Sequence, residues 1–210
     1  MQNKLFPRKA PKQKRSQERF QKILDVTFDV LSEIGYENLT TDIIAVRSGI
    51  SVGSLYQFFP NKETIVYTQA ELTYISLHDA FFEKIRYLIK KFKKYDSNLT
   101  KEILEAFETS LSENKGYPLV QTIVYSNPFL MELDFKSNER FAKSLVKELL
   151  LPLFPKLNKQ RVLVVAKITV EAVDGVYRSL MREPNLSKSH KKAMIQELNI
   201  FLDIYFRSLK

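Results

Sequence analysis

Ser51, Gly53, Ser54 and Gln57 are small or polar residues set within seven positions of one another, with Leu55 and Phe59 between and behind them. They belong to the stretch 35–63, GYENLTTDIIAVRSGISVGSLYQFFPNKE, which reads as two short helices joined by a tight turn, with a third helix starting at once behind. The second short helix, residues 52–59, turns its polar groups to one side and its bulky ones to the other. It is too small to be needed for a core, and its slim polar face suits a DNA groove. The chemistry on offer is hydrogen bonding, not bond making. The Thr41 hydroxyl sits at a helix N-terminus, beside free N–H groups and a positive dipole end, and all three attract phosphate. The Tyr56 phenol suits phosphate as well, and the Ser54 hydroxyl suits either phosphate or a base edge. Gln57 can pair bidentately with adenine, Val52 can meet a thymine methyl, and Gly53 lets the helix backbone come close.

The elements that must position these groups follow from spacing. Residues 16–34 form a helix capped by Ser16, with Phe20, Ile23, Leu24, Thr27, Phe28, Leu31 and Ile34 at three- and four-residue steps. Gly35 then ends it in a left-handed conformation. Thr41 is the expected cap of a helix over 42–48, with Ile43, Ile44 and Val46 turned inward. Gly49 permits the sharp turn, Ser51 caps the next helix, and Pro60 stops it. Asn61 caps a long helix that opens with Lys62 and Glu63 and reaches residue 89 or beyond. Further helices are expected over 100–112, up to about 126, from a Ser137 cap to about 152, over 159–182, and from a Ser187 cap nearly to the end. No strand or repeat survives this reading, so the fold class is all-α. The expected domains are a basic arm at 1–15, a three-helix DNA-binding domain with a helix-turn-helix at 16–62, and a helical domain at 63–210.

Composition narrows the function. The chain has 210 residues, 44% of them hydrophobic, enough to bury a core. Its net charge is +9, and residues 1–19 carry Lys4, Arg8, Lys9, Lys12, Lys14, Arg15 and Arg19 against Glu18 alone, a local excess of +6. A basic arm beside a helical DNA reader adds phosphate contacts or enters the minor groove. There is no cysteine, which fits a reducing cytoplasm, and His78 and His190 are too far apart to bind a metal. No nucleophile–base pair, believable carboxylate pair or phosphate-cradling loop is present, so neither an enzyme nor a cofactor is indicated. No apolar run is long enough to span a membrane, and the N-terminus lacks a secretion signal's apolar stretch.

The last two helices are apolar on two faces. Val162, Val165, Thr169, Val173, Val176 and Leu180 make one stripe of residues 159–182, and Val164, Ile168, Ala172 and Gly175 another. The final helix adds Met194, Leu198, Phe201 and Tyr205, with Ile195, Leu202, Phe206 and Leu209 beside them. A surface helix needs one apolar stripe, and terminal helices are seldom central. The second stripe points to a homodimer built from these two helices of each chain.

In residues 16–65 the sequence resembles the TetR family of transcriptional regulators. The shared elements are Gly35-Tyr36, Thr40-Thr41, Ile44-Ala45, Gly49, Ser51, Gly53, Leu55-Tyr56, Phe59 and Lys62-Glu63. Two positions depart from the pattern. Phe58 stands where the family often has His, and Arg47 where a small residue is usual; the first removes a phosphate contact and the second offers one. The resemblance implies that Thr41, Arg47, Ser51, Val52, Gly53, Ser54, Tyr56, Gln57 and Lys62 face double-stranded DNA at a pseudo-palindromic operator. It also implies a C-terminal ligand-binding and dimerisation domain and a repressor released by a small molecule. Candidate ligand contacts are His78, Phe82, Phe107, Tyr125, Phe129 and Tyr177, with Phe81 and Phe141 near them. Such a set suits a hydrophobic or aromatic effector. Two rival readings are an all-α lipid carrier or enzyme with a membrane-surface arm, and a helix-turn-helix scaffold for other proteins.

Overall fold

The computed structural model describes Pro7, residues 11–183 and residues 185–209, and these are helical with no strand. Lys4, Leu5, Phe6, Arg8 and Lys9 of the basic arm lie outside the described residues. The helices are α1 (Lys14–Asn38), α2 (Thr41–Ser48), α3 (Val52–Phe58), α4 (Lys62–Phe92), α5 (Ser97–Glu113), α6 (Tyr117–Ile123), α7 (Pro128–Leu145), the single turn α8 (Leu151–Leu153), α9 (Lys159–Arg182) and α10 (Lys188–Arg207). None is long and apolar enough to cross a membrane.

Local chemistry sets most of these boundaries. Ser51, Asn158 and Ser187 each accept the backbone N–H three residues on, capping α3, α9 and α10. Asn61 does the same for α4, accepting from Thr64 N at 2.8 Å. Gly49 adopts φ 64° and ψ 33°, a left-handed conformation that costs a glycine little, and its N–H closes the end of α2. Gly35 has φ 74° and ψ 169°, so it kinks α1 and the helix resumes through Asn38.

Four expectations need correction. Gln13, not Ser16, precedes α1, because the helix begins two residues earlier. Thr40, not Thr41, caps α2 through Ile43 N at 3.2 Å, which moves Thr41 into the first turn. Val46 is 77% exposed, because Ile44 and Ala45 fill the inward side of so short a helix. Ser137 is buried inside α7 and caps nothing; α7 ends instead in a widened π-type turn at Val146–Leu150.

The chain forms two compact units. Unit 1 holds the residues up to Thr73 together with Ile123–Leu133, and unit 2 holds Tyr74–Thr122 and Asp134–Lys210. Helix α4 is continuous through both. In unit 1, Ile23, Leu24, Leu31, Ile44, Leu55, Phe59 and Ile65 are almost fully buried. Phe20 stacks on Phe59 at 4.7 Å between ring centroids and meets Phe58 edge-on at 5.8 Å. Phe58 is thus a core residue where a histidine would have been polar. Each such side chain contributes about 1.5–3 kcal/mol of burial.

In unit 2, Phe81, Phe82 and Ile85 of α4 pack with Leu99, Leu104 and Phe107 of α5, Leu145 of α7, Val165 of α9, and Leu202 and Phe206 of α10. The Tyr95 hydroxyl donates to Asp203 Oδ1 at 2.6 Å, pinning the start of α5 to α10. The two stripes of α9 separate cleanly. Val162, Val165 and Thr169 are buried, while Val164 and Ile168 are about half exposed. In helix α10 and just beyond it the expected stripes do not hold as drawn: Leu198 is buried with Leu202, Phe206 and Leu209, while Phe201 turns outward with Ile200 and Ile204, all at least half exposed.

Candidate nucleic-acid interface and buried cavity

Helix α3 is held by its inner side. Leu55 and Phe58 are buried, so the four intervening and flanking residues Val52, Gly53, Tyr56 and Gln57 are left on the surface. Ser51 is exposed at the N-cap, and its hydroxyl donates to Ser54 Oγ at 2.9 Å. A Cβ added at Gly53 would meet no atom within 4 Å, so the space over that position is open to an incoming surface. No acidic residue lies on α3 to repel a phosphate.

Thr41 and Tyr56, fifteen positions apart, come together through their hydroxyls at 3.0 Å. Because Thr40 provides the cap, the Thr41 hydroxyl is freed for this pairing beside the N-terminus of α2. Two oxygens that can each donate thus sit side by side between α2 and α3. The turn that joins the helices also has a cation beside it. Lys22 Nζ on α1 lies 3.7 Å from where a Gly49 Cβ would be. Sequence spacing did not single out Lys22; its step from Arg15 and Arg19 along exposed α1 was the available signal.

Two other candidates are engaged within the unit. Arg47 makes two hydrogen bonds to the Glu33 carboxylate of α1, at 2.7 and 2.9 Å. That pairing holds the Glu33 carboxyl below its ordinary value and raises that of Arg47. Lys62 donates to the Tyr36 backbone oxygen at 3.1 Å and lies 4.7 Å above the Tyr36 ring. Burial, with help from Glu63 and Glu37, pushes the Tyr36 phenol up to about 12, so it stays a neutral donor.

Unit 2 encloses a cavity of about 70 Å³. Phe81, Phe107, Phe141, Leu145 and Phe206 line its apolar part, and Tyr74, Tyr117, Ser137, Asn138 and Asp174 its polar end. Of the six ligand candidates, Phe107 alone is on that wall. Tyr125 and Phe129 fall in unit 1, where Phe129 lies 6.5 Å from the Tyr36 ring, because α6 ends at Ile123 and the chain there leaves unit 2. Phe82 is buried behind the wall. The His78 ring is packed against Phe82 and Phe141, with Ser144 Oγ 2.9 Å from Nε2 and Asp79 3.0 Å from Nδ1. Tyr177 packs edge-on to Phe107 at 5.1 Å, and burial pushes its phenol up.

The polar end is a network that sequence reading missed. Tyr74 donates to Asp134 at 2.6 Å, and Gln121 donates to the Tyr74 hydroxyl at 3.2 Å. Asn138 donates to Asp174 at 3.3 Å. The Arg178 guanidinium pairs with Asp134 at 3.4 Å and with Asp174. Burial pushes both carboxyls up, and that of Asp174 reaches about 7 with the Asp134 charge adding to the effect.

Comparison with known proteins bears on the first site. Residues 23–67 match the family model described as "Bacterial regulatory proteins, tetR family". That match covers most of α1, all of α2 and α3 and the start of α4, the elements that build the exposed polar face. This segment is similar to the tetR family. Over 45 residues, 21% of the chain, the sequence is 42% identical to the HTH-type transcriptional repressor KstR of Mycolicibacterium smegmatis. The matched stretch spans 22% of that relative's length. The whole fold resembles a TetR-family regulator from Mesorhizobium loti, with a TM-score of 0.67, 16% identity, and coverage of 94% of this chain and 97% of that one. It also resembles the fatty acid degradation regulator FadR of Bacillus halodurans, with a TM-score of 0.63, 18% identity, and coverage of 92% and 97%. The likeness in unit 2 is one of fold, while the tetR segment also shares its sequence.

Proposed function

We propose that this chain is a ligand-responsive, sequence-specific DNA-binding regulator, acting as a repressor on a pseudo-palindromic operator. The observation that carries the reading is the face made by Ser51, Val52, Gly53 and Gln57, exposed and free of acids, with the Thr41–Tyr56 hydroxyl pair beside it. Val52, Gly53 and Gln57 read base edges in the major groove. Thr41, Ser51, Ser54, Tyr56 and Lys22 hold phosphates and fix the register. The match of residues 23–67 to the tetR family model and the similarity of a 45-residue stretch to a named repressor support the same role. Lys62 acts through Tyr36, orienting the start of α4. Arg47 reaches a phosphate by exchanging its bond to Glu33.

The regulator works as a homodimer joined through the outer faces of α9 and α10. Val164, Ile168, Ile200, Phe201 and Ile204 supply an apolar surface, and exposed Gly175 allows close approach of a partner helix. Two copies of α3 then address half-sites separated by about one helical turn, ~34 Å, or a little more. A small molecule bound in unit 2 shifts α4, which continues unbroken into unit 1. The ligand must bind the non-operator conformation more tightly, since equal affinity for both shifts nothing.

Selection of bound sites from random duplexes at a stated salt concentration tests the reading. A symmetric consensus with two half-sites is the expected result. Binding that follows salt alone, with no consensus, would reduce the chain to a non-specific DNA or scaffold protein.

A further inference from the structure

The polar end of the unit 2 cavity is short of positive charge. Asp134 and Asp174 share one guanidinium, that of Arg178. Asp174 lines the cavity, and Arg178 is not among the described residues that do. Asp134 and Gln121 are likewise not among those wall residues, so an occupant meets the Asp174 carboxylate directly, beside the hydroxyls of Tyr117 and Ser137 and the amide of Asn138. Asp174 Oδ1 receives its bond from Tyr117 at 3.5 Å, the long limit for a hydrogen bond. Gln121 is 93% buried, and its Oε1 accepts no hydrogen bond. Unsatisfied buried acceptors cost free energy, and so does an unmatched buried charge.

We propose that this cavity takes a small apolar amine, whose ammonium group donates to Asp174 while its body packs among Phe81, Phe107, Phe141 and Phe206, and that this organic cation is the effector. The inference deepens the regulatory reading above and rests on it for the word effector. The ammonium supplies the positive charge that the two carboxylates lack, giving two cations against two anions. A carboxylate ligand would meet the Asp174 charge head-on with no cation on its side of the wall. The small volume of about 70 Å³, roughly half that of a cavity that takes benzene, restricts the body to a short alkyl group.

The groups that face Asp174 set its pH response. They are Tyr74 from α4, Tyr117 from α6, Asp134 and Asn138 from α7, and Glu171 and Arg178 from its own helix, with exposed Arg182 acting on Arg178. The two tyrosines stay neutral, because burial pushes both phenols far up. With Asp174 brought to about 7 by burial and by Asp134, the carboxyl is half protonated near neutrality. An ammonium ion needs the ionised form. Its binding therefore strengthens as pH rises through 7, and at pH 6.5 it displaces a proton into solution.

Calorimetric titration of the full chain without DNA tests this with propylammonium, 1-propanol and propionate at pH 7.5. Propylammonium should bind at least about tenfold more tightly than the alcohol, the scale of one charge-assisted hydrogen bond, and propionate more weakly than either. At pH 6.5 the apparent enthalpy of amine binding should differ between phosphate and Tris buffers, reporting the released proton. Asp174→Asn should erase the preference for the amine. If that variant does not fold, the buffer dependence of the unaltered protein decides. Equal binding of amine and alcohol, tighter binding of propionate, no proton release, or no binding of any probe each overturns the proposal. Site selection separates the two readings. A consensus without amine binding sinks the effector chemistry alone, whereas amine binding without a consensus leaves the cavity assignment and removes the operator.

Discussion

The outer face of α3 and the polar end of the unit 2 cavity treat polar groups in opposite ways. On α3 the polar groups point outward over a closed apolar layer of Leu55, Phe58 and Phe59. Each is exposed or makes one short local bond, such as Ser51 to Ser54 or Thr41 to Tyr56. In unit 2 the polar groups point inward, and Val164, Ile168, Phe201 and Ile204 are on the outside. Polarity is inverted between the two regions, and each inversion indicates what is missing. An outward polar face with open space over it wants a polar partner of regular shape, such as a duplex. An inward cluster with surplus carboxylate wants a small cation. An outward apolar face wants a second apolar face.

The contrast can be broken from the α3 side first. Gly53→Glu places a carboxylate on the open face and, because nothing lies within 4 Å of the new Cβ, should leave thermal stability nearly unchanged. Duplex affinity should fall by about 100-fold or more, since a buried like charge against phosphate costs several kcal/mol. A gel-shift titration that shows little loss would mean this face does not meet DNA. Leu55→Ala removes the layer behind the face instead. It should cost about 2–5 kcal/mol of stability, read by denaturant unfolding.

Gln57→Ala should change which base is preferred at one position of each half-site, a loss of about 1–3 kcal/mol in discrimination. Unaltered preference in repeated site selection would assign base reading elsewhere. Tyr56→Phe should weaken all duplexes alike by about 1 kcal/mol and reduce the salt slope slightly, as expected for a phosphate contact.

On the unit 2 side, Asp174→Asn sharpens the comparison through pH. The folded-state pKa of Asp174 is raised to about 7, above that of an unfolded aspartate. The stability it contributes is thus fully present below about pH 4 and is lost as pH rises toward 7. The variant's Tm relative to the unaltered protein should therefore climb between pH 5 and pH 8. A flat difference across that window would show that Arg178 fully offsets the buried charge. Arg47→Ala should have the smallest effect, because its ion pair with Glu33 is exposed on both sides.

The tetR segment was legible because its signals are local. Caps, the Gly49 turn and the step from Leu55 to Phe59 act over a few residues, and the polar and apolar sides of α3 follow from them. The cap of α2 shows the limit of such signals. Thr40 and Thr41 offer the same hydroxyl, and a one-residue choice between them decides which one is free to meet Tyr56. Ser137 misled for a similar reason, since a serine at cap spacing is equally at home in a buried helix interior bounded by its neighbours. The aromatic residues of unit 2 were recognisable as a class, but Tyr125 and Phe129 lie where the chain passes back into unit 1.

Sequence by itself determined the all-helical class, the two-sided character of α3 and the double stripe of α9, because periodicity and capping are properties of neighbouring residues. Only the tertiary structure decided that Tyr74, Gln121, Asp134 and Arg178 meet, with as many as 60 positions between hydrogen-bonded partners. A lone aspartate in a helix pattern reads as a solvated group. Its burial beside a second aspartate and a single guanidinium arises from how four helices pack, and no spacing rule along the chain encodes that.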